Sequence, residues 1–149
     1  MEVGKTISFE IAGLAKGKAR PRFRNAGRFV QPYTDKGTAT WENYVRLCYI
    51  NSGGEKLNGN LTVLIQCNFP IPKSVSKKKH AELLHAPYPH KPDCDNLAKS
   101  ILDALNGIAF DDDMQVVTLI VTKLYSDEVK TVVTIGETEG KYEKRSVED

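Results

Sequence analysis

The stretch KPDCDNLAKSILDALNG at residues 91–107, followed by DDDMQVVTLIVTKLY at 111–125, decides the fold of this chain. From Asp95 onward Leu97, Ile101, Leu102 and Leu105 recur at helical spacing, which predicts an amphipathic helix with one buried stripe. The helix should end at Asn106-Gly107, where glycine can take the left-handed conformation that closes a C-terminus. Residues 114–125, rich in Val, Thr, Ile and Leu, predict a strand. Residues 130–135 predict another, joined to it by the turn Ser126-Asp127-Glu128 as an antiparallel hairpin. Val116, Val117, Leu119, Ile120 and Val121 offer little polar relief, so the first of these strands is expected to be central and covered on both faces.

Working outward, Ile7, Phe9 and Ile11 alternate with Ser8, Glu10 and Ala12, the period of two of a half-buried strand over 6–12. Gly13, Gly17 and Pro21 then break regular structure, making the basic run a loop with a short extended piece at 28–30. After Pro32, Thr34 or Asp35 can cap a helix that carries Trp41, Tyr44, Val45, Cys48 and Tyr49 on one face and ends near Ser52-Gly53-Gly54. Leu61, Val63, Ile65, Cys67 and Phe69 alternate with Thr62, Leu64, Gln66 and Asn68, giving a strand stopped by Pro70 and Pro72. Ser76 can cap a short helix within 74–84, and the prolines of 85–92 forbid helix in the loop that follows. These elements specify an α+β fold: a mixed β-sheet of about four main strands with helices packed on it. A single domain over 1–138 and a polar C-terminal tail over 139–149 are expected.

At roughly 100 to 200 residues per domain, 149 residues make one domain. Hydrophobic residues at 40% and charged residues at 27% exclude a wholly disordered chain. No stretch approaches the roughly 18 apolar residues of a bilayer span, and the N-terminus lacks a basic region followed by an apolar block, so no membrane association or export is expected. Cys48, Cys67 and Cys94 include no C-x-x-C pair, which argues against a disulfide framework or zinc ribbon and fits a reducing cytoplasm. The net charge of +2 hides a segregation: residues 1–92 carry 15 Lys and Arg against 6 Asp and Glu, and residues 93–149 carry 6 against 13. Basic clusters at 16–28 and 73–79 suit a polyanion, whose condensed counterions are released on binding. A carboxylate cluster beside them suits the metal of a phosphodiester-cutting enzyme.

Pro92 favours an extended Lys91, and if extension persists then Asp93 and Asp95 point to one side with Cys94 opposite. Asp95, Lys99 and Asp103 fall at i, i+4 and i+8 on the helix, and the loop after it delivers Asp111, Asp112 and Asp113 to the start of a strand. Gathered carboxylates repel unless a hard cation compensates, and an all-oxygen set suits Mg²⁺ or Mn²⁺, as one ion or two. The same residues admit a plainer reading in which Asp93 or Asp95 only caps the helix and 111–113 form a turn. An EF-hand is excluded, because Ala98 and Ala104 stand where its glycine and glutamate belong.

KARPRF (18–23), KPDCDNLAK (91–99), DALNG (103–107) and DDMQV (112–116) together resemble the RusA family of Holliday junction resolvases, over about residues 6–135. The resemblance implies a Mg²⁺-dependent homodimeric endonuclease that nicks two opposed strands of branched, four-way DNA. It matches Asp93, Asp95 and Asp113 to the family's metal-binding aspartates and Lys99 to its catalytic lysine, with Asp112 a supporting carboxylate or itself the principal third ligand. Lys18, Arg20, Arg22 and Arg24 would contact the DNA backbone. Asp111, ahead of the usual pair, and the acidic C-terminal extension depart from the family pattern. The competing class is a non-catalytic nucleic-acid-binding protein that uses the basic loops alone, for which Asp93→Asn would change nothing.

Overall fold

The computed structural model describes residues 4–18, 22–26, 29–33 and 36–138, with the backbone alone described at 22–26, 29–33, 36 and 38. In chain order the elements are strands β1 (Thr6–Ala12), β2 (Arg22–Ala26) and β3 (Phe29–Tyr33), helix α1 (Lys36–Asn51), strand β4 (Leu61–Pro70), and helices α2 (Lys77–Leu83) and α3 (Cys94–Leu105). A 3-10 turn at Asp113–Gln115 then leads into β5 (Val116–Ser126) and β6 (Lys130–Glu137). The cap positions Thr34 and Asp35, Arg20 of the basic run, Arg28 of the expected extended piece and the tail at 139–149 lie outside the described residues.

The fold is α+β, a mixed four-stranded sheet in the order β1-β6-β4-β5 with helices packed on it. Alternation dictates which side is covered. In β4, Leu61, Val63, Ile65, Cys67 and Phe69 are buried while Leu64 and Gln66 face outward. Antiparallel pairing with β6 sets Val63 beside Ile135 and Ile65 beside Val133, and β1 adds Phe9 opposite Val133. Onto this face α1 brings Trp41, Val45 and Tyr49, and α3 brings Leu97, Ile101 and Leu105, all in one core. Full burial of each such aliphatic side chain is worth about 1.5–3 kcal/mol. Gly107, at φ +87° just after α3, ends the helix as its position in the sequence implies. Ser76 caps α2 by accepting from the Lys79 N–H at 3.1 Å.

Three expectations change. Residues 22–26 and 29–33 are not a loop with one extended piece but pair as the two-stranded ribbon β2-β3, with Arg22 opposite Tyr33 and Ala26 opposite Phe29. The nearby glycines, proline and arginines concealed it, yet the pairing runs through backbone groups that do not depend on which side chains the strands carry. Next, β5 and β6 form no hairpin, because β4 occupies the place between them, antiparallel to β6 and parallel to β5. Parallel neighbours need a long crossover, here the segment holding α2 and α3, and that crossover sets β5 on the far side of β4. Finally, β5 is an edge strand and not a central one. Val117 and Ile120 are 59% and 52% exposed, with Leu64 of β4 exposed next to Ile120 on the same outer face. No helix of the described residues is long and apolar enough to cross a membrane.

Candidate active site

The N-terminus of α3 is where the plainer reading of the aspartates can be tested. Asp93 holds the N-cap position with extended backbone (φ −67°, ψ 154°), and its carbonyl accepts the first helical bond from the Leu97 N–H at 3.1 Å. Its carboxylate makes no capping hydrogen bond. The helix begins at Cys94, so extension does not persist beyond Asp93 and Asp95 falls in the first turn, where the helix dipole favours a negative charge. Asp93, Asp95 and Lys99 are all exposed, while Leu97, Ile101 and Leu105 of the same helix are fully buried. The apolar stripe therefore clamps the helix and leaves its acidic end in solvent.

The Asp111–Asp113 segment is organised by a buried amide. Gln115, 1% exposed, accepts from the N–H groups of Asp111 and Asp112 at 2.9 and 3.2 Å. Its Nε2 donates to the carbonyls of Leu57 at 3.2 Å and Gly59 at 3.1 Å. All four hydrogen-bonding places of the amide are filled. Asp112 caps the 3-10 turn through its side chain, which accepts from the Met114 N–H at 2.9 Å. Burial, then the adjacent Asp112, then Asp103 of α3 hold the Asp113 carboxyl above the usual carboxylate range. Such a group favours a proton or a cation. With folded pKa above unfolded, the native state takes up the proton first, so metal-free stability from this group falls as pH rises through the folded value. Asp113→Asn is therefore expected to raise the metal-free melting temperature at pH 7 by about 1–2 °C, discounted for solvent screening. Calorimetry should find that advantage shrinking as the pH is lowered toward the ordinary carboxylate range.

The first basic segment docks against the same helix. Ser100 Oγ donates to the Lys16 carbonyl at 2.8 Å, and the Lys18 N–H donates to the Asn96 carbonyl at 2.9 Å. Between them Gly17 lies so close that a Cβ there would sit 2.9 Å from Pro92 Cβ and 3.1 Å from Asn96 Cβ. The Lys18 ammonium reaches Glu42 of α1 at 2.7 Å and Asp103 at 3.2 Å. Burial lowers its pKa, but the two carboxylates outweigh burial and hold it above the ordinary lysine value. Lys18, expected at the DNA backbone, thus has its charge engaged within the protein. Lys18→Met would leave Glu42 buried without its counter-charge, and urea denaturation should register a loss of about 1–3 kcal/mol. Between the docked segment and α3 lies an open cleft of about 440 Å³, lined by Gly17, Lys18, Lys91, Pro92, Asp93 and Asn96.

Of the residues nominated from the sequence, Asp93 and Asp95 share the exposed N-terminal end of α3 with Lys99 exposed one turn further along, and Asp112 and Asp113 share the turn before β5. Arg20 is outside the described residues, and only the backbone of Arg22 and Arg24 is described, on β2. Among the described residues no three Asp, Glu, His or Cys side chains are gathered as closely as a bound metal ion requires. The donor chemistry nevertheless fits a hard divalent cation: the side chains are carboxylates, the Asp93 carboxylate makes no capping bond, and the Asp113 carboxyl is raised by burial and then by like charge. Sequence reasoning missed Glu42, Gln115 and Lys123, whose ammonium binds the His90 and Pro92 carbonyls just ahead of Asp93. Only Gln115 left a signal, three residues after Asp112 in a capping box.

A family model described as Endodeoxyribonuclease RusA matches residues 13–136. The chain is also 34% identical over 136 residues, covering 88% of its length and 96% of the relative's, to the Bacillus subtilis (strain 168) protein named Uncharacterized protein YqaN. The matched span runs from the docked basic segment through α3 and the Asp112–Asp113 turn into β6, and so takes in every element that builds the site. On that ground the chain belongs to the RusA endodeoxyribonuclease family and is a nuclease.

Proposed function

We propose that this nuclease is a Mg²⁺-dependent Holliday junction resolvase that works in the cytoplasm as a homodimer, making paired symmetric nicks in four-way DNA. The observation that supports this reading best is the docking of a basic segment along α3, whose exposed N-terminus carries Asp93 and Asp95. Lys91 and Asp93 then line one cleft with that segment. Asp93, Asp95 and Asp113 would hold Mg²⁺, or Mn²⁺ in its place, which when bound supplies an activated water and charge for the departing oxygen. Lys99 faces the scissile phosphate and offsets its charge, and Asp112 keeps the turn of Asp113 in place through its cap to the Met114 N–H. Arg20, Arg22 and Arg24 neutralise backbone phosphates, while Lys18 fixes the start of that basic run against Glu42 and Asp103. The test is cleavage of a synthetic four-way junction beside a linear duplex of the same sequence. Symmetric nicks in the junction with Mg²⁺ support the reading, and no junction cleavage with Mg²⁺ or Mn²⁺ in any sequence tried would refute it.

Two-fold substrate symmetry calls for a two-fold enzyme. The edge strand β5 suits the interface. Along 116–122 its outer edge has no strand partner among the described residues, and Ile120 and Leu64 expose aliphatic surface on its outward face. A second copy would cover the run that the sequence marks as doubly buried. Ile120→Lys is expected to weaken self-association about 100-fold, read as a shift from dimer to monomer mass in light scattering.

A further inference from the structure

Lys123 stands on β5 opposite Cys67 of β4, on the side of the sheet that faces the core. Its ammonium donates to the carbonyl oxygens of His90 at 2.7 Å and Pro92 at 2.9 Å. The Pro92 carbonyl belongs to the peptide unit that carries the Asp93 N–H, so the ammonium grips the backbone from which the Asp93 side chain departs. The rest of that loop is fastened to the same strand. The Tyr88 N–H donates to the Lys123 carbonyl at 3.0 Å, and the Tyr88 ring stacks on Phe69 with centroids 4.2 Å apart. His90 Nε2 and the Tyr125 hydroxyl lie 3.1 Å apart. A proline-rich loop has few N–H groups with which to join a sheet, which leaves its carbonyls as the points of attachment. A cation is the strongest donor for them.

We infer that Lys123 is a positioning residue for Asp93: it fixes the approach of that carboxylate to the divalent cation without touching cation or DNA. The inference rests on the metal-dependent reading above. Outer-shell groups of this kind orient ligands, and their removal typically costs about 10–100-fold in metal affinity. A merely structural Lys123 would instead lower thermal stability and leave the folded protein's metal affinity as it was.

Calorimetric titration of Mn²⁺ into the full chain without DNA separates these cases. Lys123→Met should bind Mn²⁺ about tenfold more weakly than wild type, with Lys123→Arg, which keeps charge and donors, in between. Junction binding in EDTA should stay within about twofold, and cleavage should need about tenfold more Mn²⁺ to reach half its maximum. Wild-type Mn²⁺ affinity in both variants would overturn the inference. Should Lys123→Met not fold, Lys123→Arg decides alone: affinity about two- to fivefold weaker supports the positioning role, and equal affinity overturns it. A wild-type protein with no affinity for Mn²⁺ would overturn the metal-dependent reading itself and the inference with it.

Discussion

Asp93→Asn is expected to lower junction cleavage by at least about 10³-fold, roughly 4 kcal/mol of transition-state stabilisation, while gel-shift affinity for the same junction in EDTA is unchanged. The substitution separates chemistry from folding because of how Asp93 sits. Its backbone makes the helix-starting bond and its carboxylate makes no cap, so Asn, an equally good N-cap residue, keeps α3 intact. What changes is one negative oxygen donor beside the cleft that also contains Gly17 and Lys18. Cleavage within about threefold of wild type would mean that Asp93 is not a ligand and that the exposed end of α3 serves another purpose.

Gln115→Leu should have the second largest effect. Leucine matches the volume but abandons four backbone groups: the N–H of Asp111 and of Asp112, and the carbonyls of Leu57 and Gly59. Each unsatisfied buried group costs about 1–3 kcal/mol, and with water entering at the exposed side the sum should come to about 3–4 kcal/mol in urea denaturation. The same change frees the turn that carries Asp112 and Asp113, so cleavage at fixed Mg²⁺ should fall about 10–100-fold, as for other outer-shell changes, and added metal should recover only part of it. Stability loss with full activity would separate the amide from the site.

What could be read from the sequence follows the range of the interactions involved. The alternation of Leu61 through Phe69 and the spacing of Leu97, Ile101 and Leu105 are local patterns, and β4 and α3 lie where those patterns put them. The α+β class, the Ser76 cap and the Gly107 stop are local in the same sense. The place of β5 is not, because its aliphatic run says that it should be covered but not by what; the crossover through α3 sets it at the sheet edge. The residues that organise the site lie beyond the reach of periodicity. Lys18 meets Glu42 across 24 positions, Lys123 meets Pro92 across 31, and Gln115 meets Leu57 across 58. A lone Lys within a strand carries no mark of such a partner and Gln115 marks only its local cap on Asp112, whereas paired aspartates beside a helix start are legible as a candidate site.

Asp113 and Asp93 or Asp95, which lie at the two ends of the α3 connection, are expected to hold a divalent cation between them. Anomalous diffraction from crystals grown with Mn²⁺ tests it most directly. The predicted result is a peak within about 2.5 Å of an Asp113 carboxylate oxygen and of an oxygen from Asp93 or Asp95. A peak bonded only to other residues, or none at saturating Mn²⁺, would contradict it.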